Sequence, residues 1–179
     1  MSIQIFILSK LIEGNNYPYN IKRTLSEPIP FDELSGLTES KLYYHFDSLV
    51  KQGLIEAIEI IKEEHRPDKQ VFGITEKGRE ELPEKIYKLF EKAIGINEML
   101  VGIANLKYVD RDKVIKILEK KLKNYLDQWT HIKSLEQRIE INENNEKILG
   151  FISGYYTTRT DHTIYWLDEL IKRIKDGNI

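Results

Sequence analysis

The sequence predicts a mainly α-helical chain in two parts: three helices closed by a two-stranded hairpin, then a module of long helices. Three observations carry this reading. Apolar residues recur at helical spacing up to Gly53, two short stretches (Leu54 to Ile61 and Gln70 to Ile74) flank turn chemistry, and from about Asn97 the pattern is almost purely helical.

Helix one spans Ile3 to Glu13, with Ile5, Leu8, Leu11 and Ile12 on an amphipathic spacing that stops at Gly14-Asn15-Asn16. Helix two is short: Pro18 suits a first helical turn, and Ile21 and Leu25 lie four apart on one face. Pro28, Pro30 and Gly36 punctuate the connection that follows. Thr38 is the expected N-cap of helix three, which runs to Lys51 with Gly53 as its C-terminal stop. On it Leu42, Phe46 and Leu49 form a buried stripe. The hairpin turns at Arg66-Pro67-Asp68-Lys69, and Thr75 caps a fourth helix from Glu76, interrupted or started late by Pro83. A long helix from about Asp110 to Asn142 carries Leu118, Leu122, Tyr125, Trp129, Ile132 and Ile139 as a heptad-like seam. A last helix, from about Glu146 to Lys175, carries Ile148, Ile152, Tyr155, Trp166 and Leu170. The expected domains are residues 1–95 and 96–179.

Composition narrows the function. The chain has 179 residues, of which 41% are hydrophobic, enough to build a sizeable core. No cysteine is present, which removes disulfides, thiolate metal sites and cysteine nucleophiles and suits a reducing cytoplasm. No stretch approaches the roughly 20 apolar residues of a membrane span. The apolar start contains Lys10 and leads to no small-residue cleavage site, so it reads as a buried helix. His45, His65, His131 and His162 show no i, i+4 pairing, so no metal and no cofactor is expected. Neither a glycine-rich phosphate loop nor a nucleophile motif supports an enzyme. A net charge of −2 does not by itself suggest nucleic acid; any basic patch must be local.

Three helices and a hairpin are the order of a winged helix-turn-helix, in which the second helix of the motif enters the major groove and the hairpin touches flanking backbone. Tyr19-Asn20-Ile21-Lys22-Arg23, Leu42-Tyr43, Leu49-Val50-Lys51-Gln52-Gly53-Leu54-Ile55-Glu56 and Phe72-Gly73-Ile74-Thr75-Glu76-Lys77-Gly78-Arg79 carry a further signal in their mutual spacing. Together these segments resemble the PadR family of winged-helix repressors over Ile3 to Leu82. The tail, with Trp166-Leu167-Asp168-Glu169-Leu170, resembles the C-terminal dimerisation module of the family's longer members. Gly73 stands where a basic or polar wing residue is common. The resemblance implies a transcriptional regulator, a repressor, that binds a palindromic double-stranded DNA operator as a homodimer. A small aromatic or phenolic effector is the implied ligand.

With the Leu42, Phe46 and Leu49 stripe inward and about 100° per residue, Ser40, Lys41, Tyr44, Asp47, Ser48 and Lys51 fall on the opposite half of helix three, flanked by Tyr43 and His45. From this set Ser40, Lys41, Tyr43, Tyr44, His45 and Ser48 are the DNA-contact candidates; the alternative is a polar solvated face. Tyr19, Lys22 and Arg23 on helix two join them, as backbone contacts or as its solvent side. At the hairpin tip His65, Arg66 and Lys69 suit phosphate or minor-groove contact, against the reading of an exposed polar loop. Trp129 and Trp166 are effector candidates, expected between the two modules, although each also sits on an apolar stripe that packing would explain. The competing function is a winged-helix interaction module that binds a protein partner instead of DNA.

Overall fold

A computed structural model of the chain describes residues 2–25, 33, 39–62, 68–136 and 146–179. It divides into two compact units, Met1–Val109 and Asp110–Ile179.

In the first unit α1 (Ser2–Glu13), α2 (Pro18–Arg23) and α3 (Glu39–Lys51) precede β1 (Ile55–Ile61) and β2 (Lys69–Ile74), followed by α4 (Glu76–Lys92), α5 (Ile96–Ile103) and a 3-10 turn at Leu106–Tyr108. Ile5, Phe6, Ile7, Leu8, Ser9 and Leu11 of α1 are all buried. A helix that is apolar on every side belongs inside, and α1 packs against α3, α4, α5 and β2 at once. The buried helix expected from the apolar start is what the structure shows. Ser9, the polar member, donates its hydroxyl to the Phe6 carbonyl at 2.9 Å, so nothing polar is stranded there.

The hairpin pairs antiparallel from Ile55 with Ile74 to Ile61 with Lys69, with a bulge between Ala57 and Glu59. Asn16 extends it by one residue: its amide donates to the Phe72 carbonyl at 3.0 Å and its carbonyl accepts from the Phe72 amide at 2.8 Å. The Gly14-Asn15-Asn16 stop is thus also the edge of the sheet.

Pro83 lies inside α4 and neither interrupts nor delays it. The proline removes one backbone donor and costs the helix about 3 kcal/mol. Burial of Leu82, Ile86, Leu89 and Phe90 along the same helix outweighs that. Residues 96–109 pack into the first compact unit, which runs to Val109. Met99, Val101 and Leu106 are buried, α5 packs on α1 and α4, and the buried Asn105 donates to the Val101 carbonyl at 2.7 Å.

The second unit is an antiparallel pair, α6 (Arg111–Glu136) and α7 (Glu146–Lys175). Asp110 caps α6, its carboxylate accepting from the Asp112 amide at 2.8 Å. Val114, Ile115 and Leu118 of α6 are buried, as are Leu167, Leu170, Ile171 and Ile174 of α7. Lys175 meets Glu119 at 2.7 Å, fixing the end of α7 beside the first half of α6. Gly177, at φ +70°, ends α7 in the left-handed conformation that glycine adopts without strain. Of the expected apolar positions on α7, Leu170 is buried, whereas Ile148, Ile152, Tyr155 and Trp166 are exposed within one chain. The reason is longitudinal: the burial on α7 gathers in its last three turns. On α6 Leu118 and Trp129 are buried, Leu122 and Tyr125 half-buried, and Ile132 exposed; Ile139 lies outside the described residues.

Candidate nucleic-acid interface

The site is assembled from α2, α3 and the hairpin, and Asn16 joins two of the three. Besides its bridge to Phe72, its side-chain oxygen accepts from the Tyr17 amide at 3.0 Å and from Asn20 Nδ2 at 2.9 Å, which seats the first turn of α2. Sequence reasoning took this residue only as part of a turn; an asparagine just before a proline-started helix was the available signal. Pro18 and Ile21 of α2 are buried, while Tyr19 and Arg23 are exposed and Lys22 is half-buried.

The α3 stripe is as expected: Leu42, Phe46 and Leu49 are buried, and the Phe46 ring lies 5.1 Å from that of Phe72 on β2. Lys41, Asp47 and Lys51 face outward with Tyr43 and Tyr44, the last 69% exposed. Ser40 falls in the first turn of α3. Two other candidates are half-buried. His45 is half-buried with its Nδ1 buried and unpartnered, its ring edge-on to Tyr44 at 5.3 Å, and burial lowers its pKa from the ordinary imidazole value. A neutral imidazole on the flank of the helix is a weak phosphate ligand. Ser48 is half-buried, its hydroxyl accepting from Gln52 Nε2 at 3.0 Å and from Gln4 Nε2 of α1 at 3.4 Å.

The motif segments that carried the resemblance hold α3 in place. Gly53 takes φ +69° just past α3, a conformation that suits glycine, and its amide and that of Leu54 donate back to Val50 and Leu49 at 2.8 and 3.0 Å. Thr75, as expected, caps α4 by accepting from the Gly78 amide at 3.0 Å, and its own hydroxyl donates to the Gly53 carbonyl at 2.8 Å. A Cβ on Gly78 would lie 2.1 Å from the Leu54 carbonyl oxygen, so only glycine lets α4 start this close to β1.

His65 and Arg66 of the hairpin tip lie outside the described residues. Lys69 is half-buried at the start of β2, opposite Ile61 at the tip end of the hairpin, with its ammonium 5.3 Å from the centre of the Tyr17 ring, which ties β2 to the start of α2. Gly73 has a packing reason, since a Cβ there would come within 2.8 Å of Asn15 Oδ1 and 3.0 Å of Ile58. Along β1, Glu56, Ile58, Glu59, Ile60 and Ile61 are all exposed.

In the second unit Trp129 is buried, 7% exposed, with the Lys133 ammonium 5.0 Å from its ring centre. Trp166 is 41% exposed, edge-on to Tyr165 at 5.3 Å and tilted to His162 at 6.3 Å. No ring contact joins the two indoles, and neither lines the open groove of about 610 Å³ formed along α7 by residues including Phe151, Tyr155, Arg159 and His162. Among the described residues no three His, Asp or Glu side chains cluster as metal ligands would, and no helix is long and apolar enough to cross a membrane.

An apolar scaffold that turns the polar face of α3 outward beside a hairpin is a winged helix-turn-helix, the class that presents a recognition helix to duplex DNA. The chain belongs to the Transcriptional regulator PadR-like family, whose model matches residues 7–84. Among curated proteins none matches it. Similar solved structures include a transcriptional regulator from Clostridium thermocellum, 31% identical over 48% of this chain and 78% of that one, with a TM-score of 0.41. The PadR of Bacillus subtilis in complex with operator DNA is 15% identical over 97% of this chain and 99% of that one, TM-score 0.42. The same protein in complex with p-coumaric acid is 16% identical over 98% and 99%, TM-score 0.38.

Proposed function

We propose that the chain is a DNA-binding transcriptional repressor that grips a palindromic operator as a homodimer. The outward face of α3, with Lys41, Tyr43 and Tyr44 projecting from a helix whose other face is fixed in the core, carries this reading. In a winged helix-turn-helix that face is the one offered to base edges, and exposed lysine and tyrosine side chains there suit guanine and backbone contacts. Exposed Ile148, Phe151, Ile152 and Tyr155 support the second unit as the place where two copies meet. A small aromatic effector acts near Trp129 or Trp166 and alters DNA affinity; the chain itself catalyses no reaction. Selection of bound duplexes from a random pool tests this. An inverted repeat is expected, with affinity that falls steeply with salt. A folded dimer that selects no sequence and shows no salt-dependent binding overturns it.

The exposed Ile58, Ile60 and Ile61 of β1, interleaved with Glu56 and Glu59, favour a second reading in which the wing binds a protein partner. Under that reading duplex DNA is not bound at any salt concentration.

A further inference from the structure

The C-terminal end of α3 is surrounded by polar groups from two other helices. Lys77 of α4 donates its ammonium to the backbone carbonyl of Gln52 at 2.8 Å. Eight residues on, Lys85 donates to Gln52 Oε1 at 3.4 Å and to Gln4 Oε1 of α1 at 3.1 Å. The other end of the Gln52 amide donates to the Ser48 carbonyl at 2.9 Å and its hydroxyl at 3.0 Å, and Gln4 Nε2 reaches the same hydroxyl at 3.4 Å. Lys85 is half-buried, and that burial lowers its pKa.

We propose that Lys77 and Lys85 are positioning residues that fix the roll of the recognition helix about its own axis, with Gln52 as the anchor they hold. This rests on α3 being the helix that reads DNA. The hydrophobic stripe of Leu42, Phe46 and Leu49 keeps α3 on the scaffold, but burial of apolar surface is non-directional and resists a small roll weakly. Hydrogen bonds are directional. A roll of about 10° moves a side-chain tip about 6 Å from the axis by about 1 Å, more than a base-reading contact tolerates. Lys77 also meets one of the orphan carbonyls at the negative end of the α3 dipole, where a cation is favoured. Both ammonium groups are directed at protein oxygens, so they act through α3 and not as phosphate ligands. Thr75 and Gly78, in the same turn as Lys77, already close the backbone at this junction; the two lysines add the control of orientation.

The test uses the full chain with Lys77→Met, Lys85→Met, the double variant and the conservative Lys85→Arg. Two readouts are taken: amide hydrogen exchange along α3 in the free protein, and the ratio of affinities for a selected and a scrambled duplex. The double variant should exchange about tenfold faster over the last turn of α3 while α1 stays protected. Its selectivity ratio should fall about fivefold with an unchanged salt slope, and Lys85→Arg should restore most of it. Unchanged exchange overturns the proposal. So does an equal loss on both duplexes with a salt slope reduced by about one per lysine, which marks direct phosphate contact. Should the double variant not fold, Gln52→Met removes the side-chain arm alone; it should reproduce the effect of Lys85→Met, and wild-type exchange and selectivity would refute the anchor. If the wild-type chain selects no duplex, the functional reading fails by itself, and the exchange result alone decides whether the lysines hold α3.

Discussion

Thr75 donates its hydroxyl to the carbonyl of Gly53 at 2.8 Å while accepting from the Gly78 amide at 3.0 Å, so a single side chain closes α3 and starts α4. Three residues of the family motif therefore serve the junction behind the recognition helix. Gly78→Ala would place a Cβ 2.1 Å from the Leu54 carbonyl oxygen and 2.7 Å from Ile74 Cγ1. Because the obstacle is partly backbone, the expected loss is about 3 kcal/mol. Thr75→Ala should cost about 1 kcal/mol as a lost cap. Urea unfolding of both variants checks the order; a Gly78→Ala midpoint equal to wild type would show that the junction relaxes freely.

Lys41 and the hairpin cations should respond differently to substitution. Lys41→Ala is expected to weaken a selected operator by about 1–3 kcal/mol per half-site and to relax preference at one base position. Arg66→Ala and Lys69→Ala should weaken operator and random duplex alike, each lowering the salt slope by about one for a lost phosphate contact. For Lys69 a further effect is expected, since its ammonium lies over Tyr17. Paired titrations on the two duplexes separate these outcomes; altered base preference from the hairpin variants with none from Lys41→Ala would reverse the assignment.

The exposed face of α7 predicts the oligomeric state. Phe151 is 77% exposed and Tyr155 is 53% exposed within one chain, so Phe151→Asp and Tyr155→Asp should leave the fold of a single chain intact. Burying a carboxylate against a second copy is unfavourable by several kcal/mol. Sedimentation should therefore show a dimer for the wild type and a shift towards monomer for each variant at micromolar concentration. A variant dimer as tight as the wild type would move the interface elsewhere.

Glu13 gives a pH dependence of known sign. Its pKa lies below the ordinary 4.5 because Lys107 donates to it at 2.9 Å; burial opposes this, and Lys10 at 3.1 Å adds to the lowering. A carboxylate with a lowered folded-state pKa contributes stability above its unfolded value, and loses it as pH falls through the folded one. Stability should thus decline below about pH 4.5 in the wild type, and Glu13→Gln should flatten part of that decline. Both partners are substantially exposed, so the difference should be small and fade in high salt. Thermal melts between pH 3 and 7 at two salt concentrations, roughly spanning the titration, would expose a difference of the opposite sign.

Much of the candidate site was legible because its signals are local. The Leu42, Phe46 and Leu49 stripe fixed which face of α3 is buried, and hence that Lys41 and Tyr44 point outward, because helical geometry converts spacing into direction. Less legible was what lies beside that face. His45 sits on its flank and Ser48 on its outer half, yet both are half-buried, because helical spacing gives direction but not the neighbours that cover a position, and the distant Gln4 is one such neighbour of Ser48. The tryptophans show the same limit: both fall on apolar stripes, yet one is buried and the other is open.

By itself the sequence determined the three helices and hairpin at the start of the chain, the Thr75 cap, the Gly53 stop and the start of α6 at Asp110, since each depends on backbone preferences and hydrogen bonds within a few residues. Tertiary structure alone decided that Asn16 pairs with Phe72, that α4 runs through Pro83, that residues 96–109 join the first unit, and that Lys77 and Lys85 turn to Gln52. These depend on groups far apart along the chain. Their energies, a buried apolar face against one lost hydrogen bond or a cation given a carbonyl in place of water, exist only once packing has brought those groups together.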